Sequence, residues 1–384
     1  MIFKPFMPLV RIGRSLFAII IIAFTGLLGV ACSSVEKPKP AELSPNAALL
    51  GVRPAWTARI SPVGFPLEVN VSGNTLTVAG SDGAVAALDA RTGRELWRAS
   101  AGSPLAAAVG SDGRLAAVVT NANDVVIFEA GKELWRQKLP AQTFTAPLVA
   151  GNRVFVLSGD RSVTAFDGQT GRKLWTQQRA GDALVLRQSG VLVAVGDTLV
   201  AGLSGRMVGL NPVNGSSRWE APLATPRGTN EVERLVDLVG RVSRVGDVVC
   251  SRAFQTVVGC VDTARGTLVW TKPANGAMGV HGDDRFVYGA ESDGQVIAWR
   301  RADGERAWTT DRLKYRGLTA PLAVGRSVVF GDSAGLVHLL SREDGSPLNR
   351  LTTDGSAIAS SPVLAGDTLV VVTRNGGIFG FQPE

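Results

Sequence analysis

Asp167-Gly168-Gln169-Thr170-Gly171-Arg172-Lys173-Leu174-Trp175 is one copy of a pattern that recurs along the chain. Residues 89–97 read DARTGRELW, 129–135 EAGKELW, 211–219 NPVNGSSRW, 262–270 DTARGTLVW and 300–308 RRADGERAW. Residues 341–349 read SREDGSPLN, with Asn349 at the Trp position. The spacing between successive markers is 38 residues (97 to 135), then 40, 44, 51, 38 and 41 (308 to 349). A period near forty with strand-like segments suits a propeller blade of four antiparallel strands. Four positions before every marker stands a glycine: Gly93, Gly131, Gly171, Gly215, Gly266, Gly304 and Gly345. A tight hairpin needs a residue at positive φ, which glycine adopts without Cβ strain.

Nine before the marker the residue is apolar: Leu88, Phe166, Leu210, Val261, Trp299 and Leu340, with Phe128 in the shortened copy. These positions are expected to face the core between neighbouring blades, and the marker tryptophans to pack there too. One repeat divides into strands over 145–149, 153–157, 162–166 and 172–177, punctuated by Gly, Asn and Asp.

The segment after Ser361 holds three strands and no marker, whereas Trp56 has no strands before it and lies 41 residues ahead of Trp97. The N-terminal strand is therefore expected to complete the last blade. The fold class is all-β: an eight-bladed propeller with four antiparallel strands per blade, closed by that strand. Closure removes open sheet edges that invite aggregation.

Residues 1–31 read as a targeting leader. Lys4, Arg11 and Arg14 precede an apolar run from Leu16 to Val30, short for a membrane span and suited to a signal-peptide core. Ala31-Cys32-Ser33-Ser34 follows and resembles a bacterial lipoprotein processing site, with Gly29 in a position usually taken by Leu. That resemblance implies lipidation of Cys32, and Ser33 in place of Asp implies the outer membrane on its periplasmic side. The alternative is ordinary cleavage after Ala31, leaving a free thiol. Residues 32–52 form the lipidated Cys and a flexible tether, Pro- and Lys-rich and expected to be extended and solvated. Residues 53–384 form the propeller.

The formal charge of +7 (40 basic, 33 acidic) falls to +4 without the three leader cations. No run of Lys and Arg interleaved with aromatics stands out, so the chain carries no nucleic-acid footprint. Cys250 and Cys260 are ten apart. A three-residue turn centred on Gln255 sets them opposite each other, whereas a two-residue turn sends them to opposite sheet faces. An oxidising compartment permits the bond in the first case.

The longest repeat, 219 to 270, carries about ten extra residues within 221–240, between one blade's outer strand and the next blade's inner strand. Insertions in such rings map to loops on one face, often the binding face. The preceding junction, 181–188, occupies the equivalent place, so the two loops are expected to be neighbours on one rim. No catalytic constellation and no metal site is expected: there is no HExxH, Cys-x-x-Cys or phosphate loop. Ser-Asp-Gly at 81–83, 111–113 and 292–294 reads as hairpin turns. His281 and His338 lie far apart, and His338 reads as a satisfied blade residue.

The Asp-x-x-Thr-Gly-x-x-x-Trp repeats resemble those of quinoprotein alcohol dehydrogenases. The whole chain resembles more closely the BamB family, lipoproteins of the outer-membrane β-barrel assembly machinery. The leader, Cys32, the tether and all eight blades carry that resemblance. More specific marks are residues 184–187 (LVLR), 233–237 (ERLVD) and 331–335 (GDSAG) leading to His338. The resemblance implies a non-enzymatic scaffold without cofactor that binds the periplasmic POTRA repeats of the BamA insertase. It implies contact with other assembly-complex lipoproteins and with unfolded outer-membrane protein clients. Family contact residues carry over to Leu184, Leu186, Arg187 and Asp237. Arg187 and Asp237 could then pair with each other or with charges on the partner. A second family acid is replaced by Val239, so that contact is lost or replaced. Two alternatives stand beside this reading. A dehydrogenase using pyrroloquinoline quinone would need an adjacent-cysteine pair that the cysteines at 32, 250 and 260 do not supply. A general envelope propeller would bind glycan or another envelope protein.

Overall fold

The computed structural model describes residues 38–179, 184–227, 229–230 and 234–384. The leader, Cys32 and parts of both junction loops (180–183, 228 and 231–233) lie outside the described residues. Among the described residues thirty-two strands form eight antiparallel sheets of four, seven of them simple meanders. Blade 1 spans 70–100, blade 2 110–138, blade 3 148–178, blade 4 192–222, blade 5 238–273, blade 6 281–310 and blade 7 322–352. Blade 8 takes three strands from 363–383 and its outer strand, Val52–Arg59, from the other end of the ring. That strand pairs in register from Val52↔Pro383 to Arg59↔Gly377, which is the closure expected.

Strand limits in blade 3 follow the repeat closely: Leu148–Ala150, Arg153–Leu157, Ser162–Asp167 and Lys173–Gln178. The inner strand is shorter than expected, pairing only from Leu148↔Phe155 to Ala150↔Arg153. The apolar column nine before each marker is buried throughout, from Trp299, Leu210 and Val261 at 0% exposure to Phe166 at 3%.

The repeat motif has a second role that the hairpin argument does not show. In the quoted copy, the Asp167 carboxylate accepts from the amides of Gln169 and Thr170 and from the Thr170 hydroxyl (2.8 Å). This turn presents Gly171 at φ +71° to the tryptophan of the preceding blade. A Cβ on Gly171 would lie 2.6 Å from the Trp135 ring, and Trp135 Nε1 donates to Gly168 O at 2.9 Å. The same seat recurs at every marker glycine: Trp56 on Gly93, Trp97 on Gly131, Trp175 on Gly215, Trp219 on Gly266, Trp270 on Gly304 and Trp308 on Gly345. Five of these indoles donate to the carbonyl just after the turn's first residue, at Ala90, Gly168, Pro212, Arg301 and Arg342. Each tryptophan thus joins its blade to the next, and three of them (Trp135, Trp175 and Trp270) are buried.

At the joint between blades 7 and 8 Asn349 replaces the tryptophan. Its Nδ2 donates to Leu50 O at 2.6 Å, and its Oδ1 accepts from Asn46 Nδ2 at 2.9 Å. Residues 41–50 form a strap along blade 7. Ala41 N donates to Lys314 O and Leu49 N to Leu348 O. Arg316, Arg350 and Arg326 donate to the carbonyls of Ala41, Ser44 and Leu49, and Leu43 packs on the core around Leu313 and Leu340. This stretch was expected to be solvated tether. It is extended, yet from Ala41 onward the propeller holds it, because three arginines and Asn349 supply donors to carbonyls that have no strand partner.

Cys250 and Cys260 are directly opposed in blade 5 and their sulfurs are bonded, with Cα atoms 3.9 Å apart. The loop between their strands is the three-residue one, 254–256, with Gln255 at φ +48°.

Candidate functional site

In each blade the first strand descends from the rim that carries the blade-to-blade junctions. Those junctions and the turns between second and third strands share that rim. Residues 184–191 connect blades 3 and 4, and residues 223–237 connect blades 4 and 5. The structure brings these two junctions together. Leu186 N donates to Asp237 Oδ2 at 3.0 Å, Gly240 N donates to Ser189 O at 2.9 Å, and Gly190 bridges to Val239.

Asp237 is the staple of this joint. Its carboxylate holds the first junction, and its carbonyl accepts from Phe254 N at 3.0 Å in blade 5. It does not pair with Arg187, one of the two pairings the sequence left open. Arg187 is exposed, and its guanidinium lies 5.5 Å from the centroid of the Phe144 ring, a distance at which a cation is attracted to an aromatic face. Leu184 and Leu186 are half-buried. Arg161 Nη2 donates to Leu184 O at 3.1 Å and fixes the start of the loop. Val239, in the place of the second family acid, is 1% exposed and pairs with Arg252 across the sheet, so it faces the core.

Phe144, Val185, Leu186 and Asp237 border a pocket of about 50 Å³ where blades 3, 4 and 5 meet. The rim therefore offers apolar side chains, one exposed cation and one carboxylate, a composition suited to a protein contact. Sequence reasoning missed Phe144 and Arg161. They come from the blade 2–3 junction and from a turn of blade 3, roughly one repeat upstream, and no motif marks them.

Along the inner side of this rim, polar side chains link junctions and strands of blades that are not neighbours in sequence. Ser189 Oγ bonds Glu68 Oε1, Gln188 Nε2 donates to Ala277 O, and Arg241 Nη1 donates to Pro362 O at 2.7 Å. Burial pushes the Arg241 guanidinium below its usual range, against the attraction of Glu68. His281 Nδ1 accepts from Ala323 N at 3.0 Å. Burial, with Arg241 and Arg301 nearby, lowers its pKa to about 3, so it is neutral near pH 7.

His338 is 3% exposed, and its Nε2 lies 2.9 Å from Asp332 Oδ2. Asp332 also accepts from Arg316 Nε and from the amides of Ala334 and Leu336. Burial works against its charge, but His338, the Leu336 amide and Arg316 together hold the carboxyl at about 2. The GDSAG stretch is thus a turn locked by a buried His–Asp–Arg cluster. Among the described residues no group of three His, Cys, Asp or Glu is placed to hold a metal ion.

Fold and rim together define a propeller of tryptophan-docked repeats that presents a composite loop site. Its sequence matches the profile described as "Outer membrane protein assembly factor BamB" over residues 81–310, more than half of the chain. A curated protein of that name from Burkholderia pseudomallei is 40% identical, over 93% of this chain and 96% of its own length. Its counterpart from Bordetella pertussis is 37% identical, over 93% and 95%. The chain belongs to the BamB family. Among solved structures, BamB from Moraxella catarrhalis superposes with a TM-score of 0.79 at 22% identity, covering 86% of this chain and 99% of that one. A quinohemoprotein alcohol dehydrogenase from Comamonas testosteroni shares the fold, with a TM-score of 0.67 at 14% identity, over 89% of this chain and 78% of that one.

Proposed function

We propose that the protein is a non-enzymatic scaffold in outer-membrane protein assembly, docking the periplasmic POTRA repeats of the BamA insertase on the 184–187/237 rim. The relatives' printed names carry the process. The observation that carries the docking site is the Leu186–Asp237 joint, which makes one surface of two junctions. Leu184 and Leu186 supply apolar contact, Arg187 the exposed charge, and Asp237 the loop geometry. In this reading residues 1–31 are a signal peptide, and Cys32 carries the lipid that holds the protein on the periplasmic side of the outer membrane. Other lipoproteins of the complex and unfolded clients are neighbours there. The dehydrogenase alternative lacks its adjacent-cysteine pair, since Cys250 and Cys260 bond across a strand ladder ten residues apart.

The test is co-purification from detergent-solubilised outer membranes. Leu184→Ala/Arg187→Glu is expected to lower capture of the insertase at least about tenfold, the order of effect of losing a hot-spot pair. Its unfolding midpoint should not change. Val213→Ser, an exposed change on the opposite rim, is expected to leave capture intact. Undiminished capture by the double variant overturns the rim assignment, and no insertase with the wild type overturns the docking reading.

A further inference from the structure

The strap has a direction. Ala41 is bonded on both sides to the junction between blades 6 and 7, by Ala41 N to Lys314 O and by Arg316 Nη1 to Ala41 O. Leu49 and Leu50 are bonded at the other rim, to Arg326 in a first hairpin turn and to Asn349. The chain therefore crosses the wall of the ring before entering blade 8. It leaves the propeller on the rim that carries residues 184–187 and 237.

This placement decides how far a lipid on Cys32 lets each rim sit from a bilayer. From Cys32 to Val52 is twenty residues, which fully extended span roughly 70 Å, enough for either rim to face the membrane. From Cys32 to Ala41 is nine residues, roughly 30 Å at most. With the strap pinned, the other rim could face the bilayer only if this nine-residue tether ran fully extended back along the wall, since the strap itself takes the nine residues from Ala41 to Leu50 to cross it. At the exit point Tyr315 is 44% exposed and held at φ +58°. An amphipathic aromatic of this kind suits the boundary between bilayer and water.

We infer that the strap orients the propeller on the membrane, with the blade 6–7 junction, Tyr315 at its tip, apposed to the lipid surface and the junction rim turned toward the bilayer. The inference rests on the reading that Cys32 is lipidated. The docking rim is then membrane-proximal, and the glycine-turn rim faces away.

The test uses the lipidated full-length protein in vesicles containing a lipid spin-labelled at its headgroup. A thioether at Cys32 and the Cys250–Cys260 bond leave an introduced cysteine as the free thiol. A fluorophore on Arg312→Cys, at the exit point, should be quenched at least about twofold more than one on Val213→Cys, on the opposite rim. Arg316→Ala combined with Asn46→Ala/Arg350→Ala, which removes the donor to Ala41 O and the bonds along the strap, should shrink that contrast. Equal quenching at the two sites, or a contrast that survives strap release, overturns the inference. If the protein carries no lipid on Cys32 and fails to float with vesicles, the anchor reading falls and the inference with it. Vesicle-bound protein with equal quenching removes the inference alone.

Discussion

Seven joints of the ring are built one way and the joint between blades 7 and 8 another. At the seven, a tryptophan of one blade sits on the positive-φ glycine of the next blade's last hairpin. At the eighth, the third and fourth strands of blade 8 come from opposite ends of the propeller chain, with no hairpin between them. There is no glycine turn on which a tryptophan could rest. Asn349 takes the position, and both ends of its amide are used, by Leu50 O and Asn46 Nδ2. The regular joints are over-determined, each by a ring on a glycine and five of them by an indole hydrogen bond as well. The seam is polar and is completed by a strap held through hydrogen bonds. The same molecule thus has joints that resist disturbance and one that can be altered at lower cost.

The largest expected effect is at a regular joint. Gly171→Ala places a Cβ 2.6 Å from the Trp135 ring on a backbone at φ +71°. About 1–2 kcal/mol for the left-handed backbone and about 1–3 kcal/mol for overpacking predict a loss of roughly 3 kcal/mol in guanidinium unfolding. A loss below about 1 kcal/mol would show that the ring can shift freely, and would break the contrast with the seam.

Next comes the buried cluster that positions Arg316 under the strap. Asp332 titrates at about 2 when folded, against an ordinary value of 3.8. A depressed carboxyl stabilises the fold above the ordinary value, and that stability is lost as pH falls from about 4 toward 2. The linkage is on the order of 2 kcal/mol. Comparing acid unfolding of wild type and Asp332→Asn isolates it. The variant is expected to lose this part of the acid dependence, and an unchanged dependence would assign it to other carboxylates.

The smallest effect is expected at the seam. Asn349→Ala deprives Leu50 O of its donor and should cost about 1 kcal/mol. Limited proteolysis within 41–50 should accelerate while the blades stay intact. If global unfolding shifts as far as in Gly171→Ala, the seam is as structural as the regular joints.

Much of this was legible before any coordinates. Spacing and the glycine four before each marker gave eight blades. The orphan Trp56 gave the closing strand, and the period-two alternation of 153–157 placed a strand to the residue. Equivalent junctions of consecutive blades share a rim by topology, so the meeting of 184–187 with 237 was also within reach. Other features were not. Arg187 lies over the Phe144 ring and Asp237 holds a backbone amide, because the packed loops give the cation and the carboxylate separate partners. Val239 turns inward because it is part of the inner strand's pairing.

The sequence by itself determined the repeat, the strand count, the closure and the candidate rim, because these follow from periodicity and from residue types that only certain backbone conformations accept. Tertiary structure decided which blade each tryptophan serves, why Asn349 is not one, and which rim releases the N-terminal chain. Those depend on contacts between residues about forty, or about three hundred, positions apart, where the identity of a partner is set by where the ring brings the chain back on itself.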